Sequence, residues 1–273
     1  MNIQYFTRLW SEGKPTHAAA NSFWDNRASE FNKVVCQGRP DERIKKIIKF
    51  LLHNSLLTEQ SSVLDIGCGP GRFAVEFAKQ AADVTGLDIS DKMLDFAVQN
   101  AEAENLTNVS FRKLDWHEVN LEEHNWTKRF NLVTAINSPG IYDQITLEKM
   151  CAASKGDCFL SNIVDRSDSV QDIIRTEILK LKGVRFYTNA IYCIFNILWL
   201  MGYYPSITYV NTDREHIRTT EEACLYYGTL FETEHYSELE KNDLIRNYLQ
   251  EISIDGFVTE KVRTKTAWIS WKV

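Results

Sequence analysis

The chain has 273 residues, 44% of them hydrophobic, and a formal net charge of -6. That length suits one large domain or a domain with a subdomain, and the apolar fraction is ample for a core, which excludes disorder. The acidic balance argues against a sequence-independent grip on nucleic acid, which needs a basic surface. Residues 1–60 read as helical and irregular, with Ile44, Ile47, Ile48, Leu51 and Leu52 at helical spacing over 41–57. From Ser62 strand and helix alternate. Strands are predicted at 63–66, 83–88, 109–114, 131–136 and 157–164, and helices at 72–80, 92–104 and 146–153. This rhythm predicts an α/β fold with a parallel sheet covered by helices. Then the rhythm changes: helices at 169–182 and 189–202, an extended stretch at 205–217, helices at 219–231 and 237–252, and a strand at 256–273 rich in Val, Thr and Trp. The helical insertions, at about 166–204 and 219–252, are expected to form a lid on a domain spanning 61–273.

Six cysteines, Cys36, Cys68, Cys151, Cys158, Cys193 and Cys224, include no C-x-x-C pair. This is reduced, cytoplasmic usage rather than a disulfide frame or a zinc site, and no metal-binding cluster is visible. The N-terminus lacks a basic-then-apolar signal pattern. The longest apolar run, 191–201, is interrupted by Asn196 and falls far short of the ~20 residues that span a bilayer.

The most informative stretch is Val63-Leu64-Asp65-Ile66-Gly67-Cys68-Gly69-Pro70-Gly71. A buried strand runs into a glycine turn that opens a helix. Glycines allow φ > 0 and close approach by a ligand, and the free N–H groups at a helix start suit a polar or anionic one. A nucleotide-like cofactor is therefore expected at the carboxyl end of this strand. Asp88 closes the next strand near the offset of about 20 residues where an acid holds ribose hydroxyls. Ser90 is a better cap for the following helix, which leaves Asp88 to a ligand. Asp115 and Trp116 follow the third strand: the carboxylate can accept from an adenine amino group, and the indole either flanks the ring or packs in the core. Met93 either packs on the other side of the adenine or belongs to the core.

These residues resemble the class I S-adenosylmethionine-dependent methyltransferases. Asp65 to Gly71 match that family's first motif, including the acid before the G-x-G-x-G spacing, where dinucleotide folds show G-x-G-x-x-G. Leu87 to Ser90 and Asp115-Trp116 stand in family order, and the resemblance covers roughly 60–165. It implies a doubly wound, mostly parallel seven-stranded Rossmann-like sheet preceded by N-terminal helices, with S-adenosyl-L-methionine as cofactor and S-adenosyl-L-homocysteine as product. By resemblance, Gly67, Cys68 and Gly69 form the loop beside the methionine part, and Asp65 organises that loop and meets the amino group directly or through water. Asp88 takes the ribose, Ile89 and Met93 pack on the adenine, and Asp115 and Trp116 meet its amino edge or face. Residues 23–31 resemble the W-D-x-x-A-x-x-F/Y segment that caps the cofactor, with Trp24 as a cap or a buried anchor, which makes 1–60 a helical cap region. Asn137-Ser138-Pro139-Gly140 resemble the N/D-P-P-Y/F motif of amino-group methyltransferases. Ser138 and Gly140 depart from it, and Tyr142 stands two residues late.

Methyl transfer from a sulfonium is an in-line displacement, so positioning and desolvation do much of the work. A base is needed only where the acceptor must lose a proton. Asn137, Tyr142 and His117 are the catalytic candidates, followed by Asp143, His216 and His235. The charge and an aromatic-rich second half favour a small-molecule acceptor, handled by a monomer or homodimer. Tyr187, Tyr192, Trp199, Tyr203, Tyr204, Tyr226 and Tyr227 either wall its pocket or fill the core of the late helices. The alternatives are an N-methyltransferase acting on RNA or protein, and a cofactor-binding protein without turnover.

Overall fold

The computed structural model describes residues 1–12, 25, 28, 32, 42–181, 188–231 and 235–273. Helix α1 (Ile3–Ser11) is capped by the Asn2 side chain, which accepts from Tyr5 N, and it buries Phe6 and Trp10 four residues apart. Helix α2 (Glu42–His53) buries Ile47 and Leu51 in the same way. Next come β1 (Ser62–Ile66), α3 (Arg72–Ala78), β2 (Asp83–Asp88), α4 (Asp91–Ala103), β3 (Val109–Lys113), β4 (Phe130–Ile136), α5 (Gln144–Ala153) and β5 (Ser154–Asp168). Ser90 caps α4 by accepting from Met93 N, as the sequence suggested.

The sheet is seven-stranded and mixed, in the order β3-β2-β1-β4-β5-β7-β6. Here β6 is Ser206–Thr219 and β7 is Phe257–Lys272. The pairs β1–β2, β1–β4, β2–β3 and β4–β5 are parallel, with Asp65 beside Gly86 on one side and Thr134 on the other. Val63, Leu64 and Ile66 of β1 and Leu132 to Ile136 of β4 are buried, as strands covered on both faces must be.

The chain forms two compact units. The first comprises Met1–Asn162, Asn189–Thr208 and Trp268–Val273; the second comprises Ile163–Thr188 and Tyr209–Ala267. In the first unit, Phe50, Phe159 and Trp268 pack as an aromatic trio with ring centroids 5.2 to 6.2 Å apart.

The second unit has its own core of Val170, Ile174, Leu179, Ala223, Tyr227, Phe231, Ile245, Leu249 and Val258. Around it lie α8 (Thr220–Leu230) and α9 (Glu238–Ile252), each opened by a capping box. Between β5 and α8 stand α6 (Gln171–Ile173) and the uncharged α7 (Thr188–Leu200), whose residues from Asn189 onward belong to the first unit. The continuous helix predicted at 169–182 is not formed. Helix α6 passes directly into a π-helical turn, Ile174–Ile178, and Lys180 takes φ 50°. Asp168 explains the start of this segment: buried, it accepts from Val170 N and Gln171 N and pairs with Arg166 at 3.0 Å. Burial, with Glu260 beside it, pushes its carboxyl up to about 6. Arg218 in turn pairs with the buried Glu260.

Candidate functional site

The strand order turns outward in both directions from β1 and β4. Loops leaving these two strands diverge, and such a switch point opens a crevice at the carboxyl ends. A cavity of about 210 Å³ lies there, lined from the turns after β1, β2, β3 and β4.

Gly67 and Gly69, after β1, take φ 68° and 55°. The N–H groups of Gly67 and Cys68 donate to Leu87 O at 2.8 and 2.9 Å, which ties the turn to β2. A Cβ on Gly67 would stand 2.1 Å from Ser138 Oγ, so the loop after β4 rests directly on the loop after β1. A Cβ on Gly69 would meet nothing nearer than Met93 Sδ at 3.9 Å, so the space above Gly69 can admit a ligand.

Three carboxylates line the cavity. Asp65 is 2% exposed, and burial pushes its carboxyl up to about 7. A 2.8 Å bond from the Thr134 hydroxyl opposes that shift, and the charge of Asp88 adds to it. Asp88 accepts from Gly69 N at 2.9 Å through Oδ2 and from Ser90 N at 3.0 Å through Oδ1. Burial raises its pKa, and these bonds oppose the rise. The Ile89 N–H also lies close enough to oppose the rise, and a carboxylate has about four acceptor positions in all, so capacity for a ligand remains. Asp115 Oδ1 accepts from His117 N at 2.9 Å.

Trp116 is 1% exposed, and its indole N–H donates to Thr146 O at 3.1 Å. The ring is therefore both core and cavity wall. Asn137 follows β4 with φ 49°, a conformation Asn tolerates better than most residues. Its N–H donates to Ser161 O at 2.7 Å, while its side-chain oxygen is buried with no hydrogen-bond partner. Cys68 is a buried thiol whose pKa is raised well above the usual range, first by burial and then by Asp65 and Asp88.

Asp65, Gly67, Cys68, Gly69, Asp88, Ile89, Met93, Asp115, Trp116 and Asn137 thus share one cavity. Trp24 lies outside the described residues, as does Tyr187. His117 and Tyr142 are not in the lining; they meet each other, Tyr142 Oη standing 3.3 Å from His117 Nδ1. Asp143 caps α5. Of the later aromatics, Tyr227 is core, whereas Tyr192, Trp199 and Tyr204 are exposed, and none lines the cavity. Sequence reading missed Arg43 and Arg72, which line it beside Phe73; the Arg43 guanidinium stands 5.8 Å from the Phe73 ring centre. Arg72 directly follows the glycine turn and was open to discovery. Arg43, in a helix well upstream, left no local signal.

Among the described residues, no group of three or more His, Cys, Asp or Glu is placed to hold a metal ion. No helix among them is long and apolar enough to cross a membrane.

Comparison with known proteins agrees with this geometry. The family described as "Methyltransferase domain" matches residues 57–251. An uncharacterized protein of Haemophilus influenzae is 27% identical over 224 residues, covering 81% of this chain and 78% of that one. The ubiquinone biosynthesis O-methyltransferase of Acinetobacter baylyi is 28% identical over 136 residues, covering 49% of this chain and 52% of the enzyme. A 23S rRNA (uracil-C5) methyltransferase of Psychromonas ingrahamii is 36% identical over 90 residues, 33% of this chain but 20% of that enzyme. Among solved structures, coclaurine N-methyltransferase bound to N-methylheliamine and S-adenosylhomocysteine superposes with TM-score 0.53 at 13% identity, covering 100% of this chain and 87% of that one. A Bacillus halodurans C-125 protein assigned as a methyltransferase gives TM-score 0.53 at 16% identity, covering 85% and 99%. With the glycine turn, the three carboxylates and the family match on one stretch of chain, this protein belongs to the methyltransferase-domain family and is an S-adenosylmethionine-dependent methyltransferase.

Proposed function

We propose that the enzyme methylates a nitrogen or oxygen nucleophile of a small molecule. The observation that carries this reading is the wall from Asn137 to Gly140. It is uncharged, and it presents one buried side-chain oxygen, Asn137 Oδ1, that lacks a donor. A buried acceptor left unmet costs about 1–3 kcal/mol, and an N–H or O–H on the methyl acceptor would recover it. A nucleic-acid substrate needs cations along its backbone. This lining holds two cations, Arg43 and Arg72, and Arg43 lies against the Phe73 ring. The rRNA enzyme matches over a fifth of its length, which leaves most of that enzyme without a counterpart here. The match to the ubiquinone-pathway O-methyltransferase reaches about half of its length and supports a small acceptor.

The cavity fits the cofactor: Gly69 leaves open space above the turn, and the Asp88 carboxylate faces the same cavity. In this reading Asp88 holds the ribose hydroxyls, Ile89 and Met93 pack on the adenine, and Asp115 and Trp116 meet its edge. Gly67 and Gly69 admit the methionine part, whose ammonium meets Asp65, and Arg43 and Arg72 supply positive charge for its carboxylate. Bound S-adenosylmethionine supplies a methyl group activated on a sulfonium. The chain's part is to align the acceptor's lone pair, take its hydrogen bond at Asn137, and exclude water.

Incubating the enzyme with methyl-labelled S-adenosylmethionine and a size-fractionated cell extract tests the acceptor class. Label is expected in the small-molecule fraction, on a species separated by chromatography from the unreacted donor. Label confined to RNA or protein would overturn the reading.

Asp65 adds a pH test. Its carboxyl titrates near 7 in the free protein, and a bound ammonium favours the ionised form. Binding therefore releases a proton below about pH 7, and affinity falls as the pH drops. S-adenosylhomocysteine should bind roughly tenfold more weakly at pH 6 than at pH 8, because about a tenth of a group is ionised one unit below its pKa. Asp65→Asn should flatten the profile. Calorimetry in two buffers of different ionisation enthalpy counts the proton; a flat wild-type profile would separate Asp65 from the ammonium.

A further inference from the structure

We propose that Lys149, on α5, is a positioning residue for the adenine end of the cofactor, acting through the Asp115–His117 turn. The inference rests on the reading of Asp115 and Trp116 as the adenine wall. Helix α5 lies about 30 residues beyond that turn in sequence, yet it holds the turn from two directions. The Lys149 ammonium donates to Trp116 O at 3.0 Å and to His117 O at 2.8 Å. The indole N–H of Trp116 donates to Thr146 O, one helical turn away on the same helix. Main chain and side chain of Trp116 are therefore anchored to a single rigid element.

The anchorage reaches the carboxylate. Asp115 Oδ1 accepts from His117 N, so fixing the His117 peptide also fixes Asp115. Lys149 is half-buried, and its removal from water lowers its pKa. A desolvated ammonium is tolerated where its donors are used, and two of its three donors go to these carbonyls. Its nitrogen also stands 5.7 Å from the Trp116 ring centre. The acids Glu118, Asp115 and Asp143 are near enough to favour its charge.

The same helix start also sets the other wall. The Thr146 hydroxyl accepts from Tyr142 N and Asp143 N, and Asp143 Oδ1 accepts from Thr146 N. That turn follows the Asn137–Gly140 wall directly. A Cβ on Gly140 would stand 3.7 Å from Trp116 Cβ. Helix α5 is thus a common footing for the adenine wall and the acceptor-side loop, and Lys149 and Thr146 O are its contacts with the former.

The test measures Kd for S-adenosylhomocysteine and for 5′-methylthioadenosine, which keeps the adenosine and lacks the amino-acid part. Lys149→Met, Lys149→Gln, Lys149→Arg and Asp115→Ala are compared, each well below its own apo Tm. Lys149→Met should weaken both ligands by the same factor, about tenfold, the worth of one lost charge-assisted bond. Lys149→Arg, which keeps N–H donors, should recover most of the loss. If Lys149→Met does not fold, Lys149→Gln is read in the same way. A lower apo Tm with unchanged affinities, or a loss for S-adenosylhomocysteine alone, would make Lys149 a brace of the fold and overturn the proposal. If Asp115→Ala weakens binding while the Lys149 variants do not, the positioning inference fails by itself. If Asp115→Ala leaves both ligands unaffected, the adenine reading fails and takes the inference with it.

Discussion

Asp88→Ala should weaken S-adenosylhomocysteine binding by about a hundredfold, near 2.7 kcal/mol. The carboxylate already accepts from Gly69 N and Ser90 N, with the Ile89 N–H also favouring its charge. Its remaining lone pairs are those the ribose hydroxyls would use. Each charge-assisted bond is worth about 1.5–3 kcal/mol, so the loss of one strong ribose contact is enough for the whole effect. The substitution also frees Gly69 N, which loosens the turn that should admit the methionine part. Asp88→Asn should fall between wild type and alanine. It keeps one oxygen, but its amide group faces one of the two N–H donors and cannot accept from it. Calorimetry gives both values directly. Wild-type affinity in Asp88→Ala would show that the ribose is held elsewhere.

Gly67→Ala should be more damaging, because it strikes fold and site together. The residue sits at φ 68°, where a side chain costs about 1–2 kcal/mol. Its new Cβ would also stand 2.1 Å from Ser138 Oγ and 2.9 Å from Ser138 Cβ. The serine hydroxyl cannot swing away freely, since it accepts from Gly140 N at 3.1 Å. One of the two loops has to shift, and both line the cavity. The expected result is a clear fall in Tm, with cofactor affinity reduced by more than about a hundredfold, the scale of two lost hydrogen bonds to a charged group. Adding Ser138→Gly separates the causes: it removes the collision and leaves the backbone strain. The double variant should regain stability and part of the affinity. A Gly67→Ala protein with normal Tm and normal binding would show that the loops slide past each other at little cost.

Much of this was legible in the chain because the signals are local. The alternation of apolar strands with helical spacing placed the parallel sheet, and the Asp65–Gly71 stretch placed the cofactor turn at its end. The offset of Asp88 pointed to the place where it lines the cavity, and Ser90 is the helix cap, as its position suggested. What escaped is non-local. Arg43 reaches the cavity from a helix that shows only its own amphipathic pattern. By sequence Trp116 either flanks the adenine or packs in the core; it is buried, and its partner Thr146 stands 30 residues on, which no spacing announces. The predicted strand stops at 164, before the polar Asp165-Arg166-Ser167-Asp168, whereas β5 runs to Asp168. It continues as strand because Asp168 is buried against Arg166 and Glu260. The turn that follows is π-helical because tertiary packing of Ile174 and Leu179, five residues apart, overrides the α-helical register.

The thiol in the glycine turn bears on the enzyme's own durability. Sulfur is a better nucleophile than most acceptors, but only as thiolate. Cys68 lines the same cavity that should receive an electrophilic methyl group. Burial and the two neighbouring aspartates keep its proton in place. The carboxylates proposed to hold the cofactor thus also disfavour the thiolate, the one form of this side chain that could compete for the methyl group.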